Sequence, residues 1–188
     1  AAQAAGRLPL DFGALGADLV SISGHKLGGP AGTGVLLVRR GVRLNPLLVG
    51  GEQERARRAG LEPVAAAAGM AAALGAIDVE AEAAAQEAHA DRLREILRGV
   101  DGVSLYGDPV HRAPHIVCAG LDRRGVEAHS GSACASEGLE PSPVLEAMGV
   151  DAHRSLRVSV GWSSTDADLD ALAGALPEVV AELRALRR

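Results

Sequence analysis

Residues 23–26, Ser-Gly-His-Lys, run straight into Leu27-Gly28-Gly29-Pro30-Ala31-Gly32-Thr33-Gly34, and an apolar run stands on either side of this block. Ala17-Asp18-Leu19-Val20-Ser21-Ile22 predicts a short strand, and Val35-Leu36-Leu37-Val38 predicts a second one that Arg39-Arg40 brings to a polar stop. The glycine-rich backbone between them must turn tightly, so the chain is committed to a strand, a close turn and another strand, with one lysine at the strand's end. A lone lysine in such a loop would be a solvated surface residue. The residues around Lys26 argue for more.

Ser23 offers a hydroxyl, His25 an imidazole, and the glycines after them exposed backbone amides that a ligand can approach closely. Together they suit an anion such as a phosphate. The spacing is not a P-loop, because no Gly-Lys-Ser/Thr closes a four-residue gap after a first glycine. A lysine whose amine is partly desolvated is a nucleophile at neutral pH and forms Schiff bases with carbonyl compounds, pyridoxal phosphate among them.

Composition narrows the remaining choices. The chain of 188 residues is long enough for one substantial core or two modest layers, and 47% hydrophobic with 23% charged residues is ordinary for a globular protein. Phe12, Tyr106 and Trp162 are the only aromatics, so the core must be built from Ala, Val and Leu, and base-stacking platforms are missing. A net charge of -5 argues against a general nucleic-acid surface. The start, Ala1-Ala2-Gln3-Ala4-Ala5-Gly6-Arg7, lacks the apolar run of an export signal, and no window of about 18 apolar residues reads as a membrane span. With two cysteines, Cys118 and Cys134, at most one disulfide is possible. The expectation is a cytoplasmic protein that binds neither nucleic acid nor membrane, and no metal-ligating set stands out.

Residues 1–61 alternate apolar runs with Gly and Pro, the texture of strands and loops in an α/β sheet. Residues 62–100 turn helical, with Gly75 and Glu80-Ala81-Glu82 marking a bend between two helices and Leu97-Arg98-Gly99 a C-terminus. Residues 101–188 return to strands at Val103–Tyr106, His115–Cys118, Val126–His129 and Leu156–Val160, with helices at Ser142–Met148 and Asp166–Arg187. Ser164-Thr165-Asp166-Ala167-Asp168 supplies an N-cap with acids in the first turn. The expected organisation is a strip of an α/β domain, a helical bridge and a smaller α+β domain.

Two further features carry chemistry. Cys134 lies in Ser130-Gly131-Ser132-Ala133-Cys134-Ala135-Ser136, small residues that permit an exposed, reactive thiol, whereas Cys118 sits among apolar neighbours as a structural cysteine does. Arg157, in Leu156-Arg157-Val158-Ser159-Val160, is a guanidinium among apolar residues that needs a carboxylate or phosphate from the protein or from a substrate.

Taken in order, Ser-Gly-His-Lys with Gly-Pro-x-Gly-x-Gly, then Gly50-Gly51-Glu52-Gln53-Glu54-Arg55, then Ser-Gly-Ser-Ala-Cys-Ala-Ser with Leu139-Glu140-Pro141-Ser142, then Leu156-Arg157-Val158-Ser159, resemble the cysteine desulfurases. These are pyridoxal-phosphate enzymes of the class V aminotransferase family, and the match runs over nearly the whole chain. The Ser-Gly-Ser-Ala-Cys form is similar to the subgroup whose cysteine lies on a long mobile loop and serves iron-sulfur cluster assembly. The resemblance implies the C-terminal part of a fold-type I pyridoxal-phosphate transferase. It also implies that Lys26 carries the cofactor as a Schiff base, Ser23 and His25 hold its phosphate, and Gln3 bonds its phenolic oxygen. Arg157 would bind the carboxylate of substrate L-cysteine, and Cys134 would take the sulfur as a persulfide and pass it to an acceptor or iron-sulfur scaffold protein. A homodimer is implied as well.

The family pattern also places an aspartate facing the pyridine nitrogen, a histidine on the ring and a phosphate-binding Gly/Ala-Thr segment ahead of Ala1, and a strand-and-helix segment between Gly120 and Leu121. Leu61 stands where a threonine usually reaches the partner subunit's phosphate, and Ala31 replaces a lysine. The expectation is that these 188 residues alone turn over poorly and aggregate or dimerise through the edges of strands 17–22 and 35–38. Two rival readings follow: a non-catalytic member acting in dimerisation or partner binding, and a selenocysteine lyase or another pyridoxal-phosphate lyase or aminotransferase on the same scaffold.

Overall fold

The computed structural model describes residues 1–121 and 142–186, and divides the chain into two compact units, Ala1–Glu82 and Ala83–Arg188. The predicted strand at 126–129 and the Cys134 segment lie outside the described residues.

In the first unit, β1 (Leu19–Ser23) and β2 (Gly34–Val38) pair antiparallel, from Leu19 opposite Val38 to Ser23 opposite Gly34. Asp18 and Arg39 close the open end: the guanidinium donates from Nε and Nη2 to the Ala17 carbonyl at 3.0 and 2.8 Å and lies 3.4 Å from the Asp18 carboxylate. That is why β2 stops where Arg39-Arg40 begins. A single helical turn, α1 (Gln53–Ala56), follows, with Glu54, Arg55 and Ala56 in the left-handed region at φ of 53°, 61° and 61°. Nothing in those residue types announces a positive φ. Next comes α2 (Val64–Ala76), and the chain bends at Ile77-Asp78 into α3 (Val79–Arg98), close to the bend expected from Gly75 and Glu80. The unit's core is small: Ala5, Leu27 and Met70, with Ile22 and Ile77 against them.

The second unit is a three-stranded antiparallel sheet in the order β3 (Val103–Tyr106), β4 (Ile116–Leu121), β5 (Ser155–Ser159). Leu121, Ala119 and Val117 on one face of β4 join Ala90, Leu93 and Leu97 of α3 and Leu169, Leu176 and Val180 of α5 (Asp166–Ala185) in a continuous apolar core. The period-2 pattern of β4 and the 3.6-residue stripes of both helices meet there, which is what fixes register. The start of α5 is a reciprocal capping box: Thr165 Oγ1 accepts from the Asp168 amide while the Asp168 carboxylate accepts from the Thr165 amide at 2.8 Å. Arg92 of α3 reaches Asp166 and Asp170 of α5, and Arg112 pairs with Glu87 and Asp91 of α3. The short α4 (Pro143–Ala147) starts after Ser142 with proline at its first position, as the sequence predicts. Among the described residues no single helix is long and apolar enough to cross a membrane.

Candidate active site

Lys26 sits on a 3-10 turn, Gly24–Leu27, that begins at the last residue of β1. Three backbone bonds shape it. The Gly24 amide donates to the Thr33 carbonyl at 2.9 Å, and the amides of Gly28 and Gly29 both return to the Gly24 carbonyl. Gly28 has φ of 79°, a left-handed value that caps the turn and that a residue with a Cβ adopts at a cost. Gly24 is required for a different reason: a Cβ there would lie 2.2 Å from Thr33 Oγ1 and 3.2 Å from Met70 Sδ. On the other flank Gly69 lets α2 meet Pro30, whose Cγ would be 2.7 Å from a Cβ at 69. The glycines that the sequence marks as a tight turn therefore make a close fit between the turn, β2 and α2.

That fit determines what the side chains can do. Leu27 is buried against Ala5 and Met70, which anchors the turn from beneath and leaves its neighbour Lys26 half-buried. Ser23 Oγ and His25 Nδ1 lie 3.0 Å apart, with His25 exposed. A hydroxyl, a ring nitrogen and an amine thus stand on four consecutive residues of one turn. Gln3 is half-buried in the turn-rich segment 1–8 of the same unit. The set is donors without a carboxylate, the chemistry that a phosphorylated aldehyde requires: hydrogen-bond donors for the phosphate and an amine for the carbonyl carbon.

Sequence reasoning missed Arg7. Its Nη2 donates to the Lys26 carbonyl at 3.1 Å, a contact across nineteen residues that no local pattern signals.

Arg157 belongs to the second unit. It is half-buried on β5, and the register sets it opposite Cys118 of β4, which is in turn opposite Tyr106 of β3. Directly opposed residues share a face, so Tyr106, Cys118 and Arg157 form a row on the side of the sheet away from the apolar core. The Tyr106 ring crosses Gly120, where a Cβ would meet the phenol oxygen at 1.9 Å. Burial pushes the Tyr106 hydroxyl above its ordinary pKa, with the charge of Asp151 adding to it. Burial also pushes the Cys118 thiol up, while the nearby Arg157 charge pulls the other way. Cys118 is therefore a half-buried thiol beside a guanidinium, not a side chain turned into the core. Among the described residues no carboxylate pairs with Arg157. Cys134, expected to be the nucleophile, lies outside them.

A sequence model described as Aminotransferase class-V matches residues 1–172. The chain belongs to the class-V aminotransferase family, whose members depend on pyridoxal phosphate. This class-V chain is 47% identical to an IscS-like cysteine desulfurase of Mycobacterium tuberculosis, over 98% of its own length and 52% of that protein's. It is 41% identical to a cysteine desulfurase of Trichormus azollae, covering 99% of the chain and 51% of the relative. The chain thus spans about half the length of the curated relatives it matches. Among solved structures it resembles a NifS-like protein with a TM-score of 0.84 at 27% identity, covering 97% of this chain and 52% of that one. A NifS-like protein from Rickettsia africae superposes with a TM-score of 0.81 at 27% identity, over 94% of this chain and 51% of that one. These likenesses bear out the expected fold, part of a pyridoxal-phosphate transferase.

Proposed function

We propose that this chain carries the lysine, arginine and cysteine of a cysteine desulfurase, converting L-cysteine to L-alanine and delivering sulfur to a protein thiol. The observation that carries the reading is the Lys26 turn, where an amine and a Ser23–His25 donor pair project from one glycine-fitted backbone. Relatives named cysteine desulfurase at 47% and 41% identity support it.

When bound, pyridoxal phosphate supplies an electron sink for the bonds around the substrate's α-carbon. Lys26 would hold the cofactor through its Nζ, and the same amine is placed to take and return the proton at that carbon. Ser23 and His25 would hold the phosphate, and Gln3 would donate to the phenolic oxygen. Arg157 orients the substrate by its carboxylate, a planar pairing that a lysine would not reproduce. The Cys134 thiolate attacks the substrate sulfur: an S–S bond forms, the C–S bond breaks, and the carbon gains a proton to become the methyl of alanine. The sulfur atoms are oxidised to the persulfide level as the carbon is reduced, so no external oxidant is needed. Cys118 is the poorer nucleophile, since burial raises its thiol above the ordinary range.

The acceptor in this proposal is a second protein thiol or an iron-sulfur scaffold, and the setting a reducing cytoplasm. A homodimer is part of it too, supported by the exposed apolar side chains of Leu47 (95% exposed), Val49 (78%) and Leu61 (87%), which a second copy would cover. The test is a single round of sulfur transfer from labelled cysteine, with purified protein in excess and cofactor added, which even a slow enzyme completes. Equimolar alanine and label on Cys134, unchanged in Cys118→Ser and abolished in Cys134→Ser, is the expected result. Loss of label from both variants alike, or alanine without label on either cysteine, contradicts it.

A further inference from the structure

The Lys26 turn is held from the segment Ala5-Gly6-Arg7 by two separate contacts. Ala5 packs on Leu27 in the core of the first unit, and Gly6, at φ of 73°, runs so close beneath that a Cβ would lie 2.6 Å from Leu27 Cδ2. Arg7 then donates from Nη2 to the carbonyl of Lys26 at 3.1 Å. Burial lowers the Arg7 pKa, with the Glu82 charge acting in the opposite sense, and its Nε and Nη1 are covered with no hydrogen-bond partner. A guanidinium set there for packing alone would be a poor choice, because an apolar side chain of similar length would fill the space without the desolvation cost. What the guanidinium adds is a charge-assisted bond to one carbonyl, and that carbonyl belongs to the residue whose amine does the chemistry.

We propose that Arg7 is a positioning residue for Lys26. By fixing the Lys26 carbonyl it fixes the peptide planes of the 3-10 turn, and so the direction in which the lysine side chain leaves the backbone. The proposal rests on the reading of Lys26 as the cofactor-bearing residue.

The experiment compares the unsubstituted protein with Arg7→Met, which keeps the apolar stem, and Arg7→Lys, which keeps a charged donor. Each is mixed with pyridoxal phosphate, reduced with borohydride at timed intervals, and digested, and the adduct on Lys26 is quantified by mass. Melting temperature is measured on the same samples without cofactor. Arg7→Met should slow Lys26 labelling about tenfold, the equivalent of one charge-assisted hydrogen bond. Arg7→Lys should recover a good part of the rate at Lys26, its own new amine being counted separately, and labelling of the Ala1 amino group, the one other amine in the sequence, should be unchanged. Equal labelling rates in all three proteins overturn the proposal and leave the reading of Lys26 intact. A loss in Arg7→Met that follows the fall in melting temperature, with no recovery in Arg7→Lys, also overturns it, since that is a stability effect. No adduct on Lys26 in the unsubstituted protein removes the underlying reading, and the proposal with it.

Discussion

The two units hold themselves together in different ways. The second buries a continuous apolar core between a three-stranded sheet and two twenty-residue helices, and exposed ion pairs such as Arg92 with Asp166 and Asp170 add to it. The first buries Ala5, Val20, Leu27 and Met70 and relies on glycines fitted against neighbouring atoms, backbone bonds and half-buried arginines such as Arg7. Shape defined by close backbone approach leaves side chains free to face a ligand, and shape defined by burial does not. A substitution in the second unit should therefore be felt as lost stability, and one in the Lys26 turn as lost site geometry.

The largest effect expected is in the second unit. Leu93 is fully buried at the centre of the core, so Leu93→Ala should cost about 3 kcal/mol by urea denaturation, from lost burial plus the cavity left behind. Amide exchange should localise that loss to α3, β4 and α5, with β1 and β2 little changed. Equal loss of protection in β1 and β2 would break the distinction between the units.

Gly24→Ala comes next and has the opposite signature. The added methyl would need to share space with Thr33 Oγ1, 2.2 Å away, at an overpacking cost of about 2 kcal/mol. The turn must open to accept it, so Lys26 labelling by pyridoxal phosphate should fall at least about tenfold, the equivalent of only part of that cost. Unchanged labelling would show that the close fit does not set the lysine's geometry.

How much of this was legible beforehand follows from the range of each interaction. Runs of apolar residues gave β1, β2 and β4 because burial of one face is a local pattern, and Thr165 with Asp168 announced the start of α5 because a cap is read within four residues. The left-handed turn at Glu54–Ala56 had no signal, since glutamate, arginine and alanine are not residues that favour positive φ. Arg7 and the row Tyr106, Cys118, Arg157 were hidden for a different reason. Each depends on which distant segments pair, and Cys118 in particular read as an ordinary apolar-strand cysteine until the register set it opposite Arg157.

Two smaller effects sharpen the comparison from the second unit. Thr165→Ala removes the capping hydroxyl and should cost about 1 kcal/mol without altering Lys26 labelling. Asp168 has its carboxyl held below the ordinary range, first by the Thr165 side chain and then by the Thr165 amide. A carboxyl depressed in the folded state stabilises fully above its unfolded pKa, and that contribution is lost as pH falls through the folded value. Asp168→Asn should therefore lower the melting temperature slightly at pH 7, with the gap to the unsubstituted protein closing in acid. A gap that does not narrow as the pH falls would mean that the box acts through packing and not through charge.

The central claim is that Lys26, on its glycine-fitted turn, is the residue that takes the cofactor. It is tested most directly by adding pyridoxal phosphate to the purified protein, reducing with borohydride and mapping the modified peptide by mass. A single adduct on Lys26, absent in Lys26→Ala although that variant keeps its melting temperature, is the predicted result. An adduct spread over the exposed amine of the N-terminus, or one that survives Lys26→Ala unchanged, would contradict it.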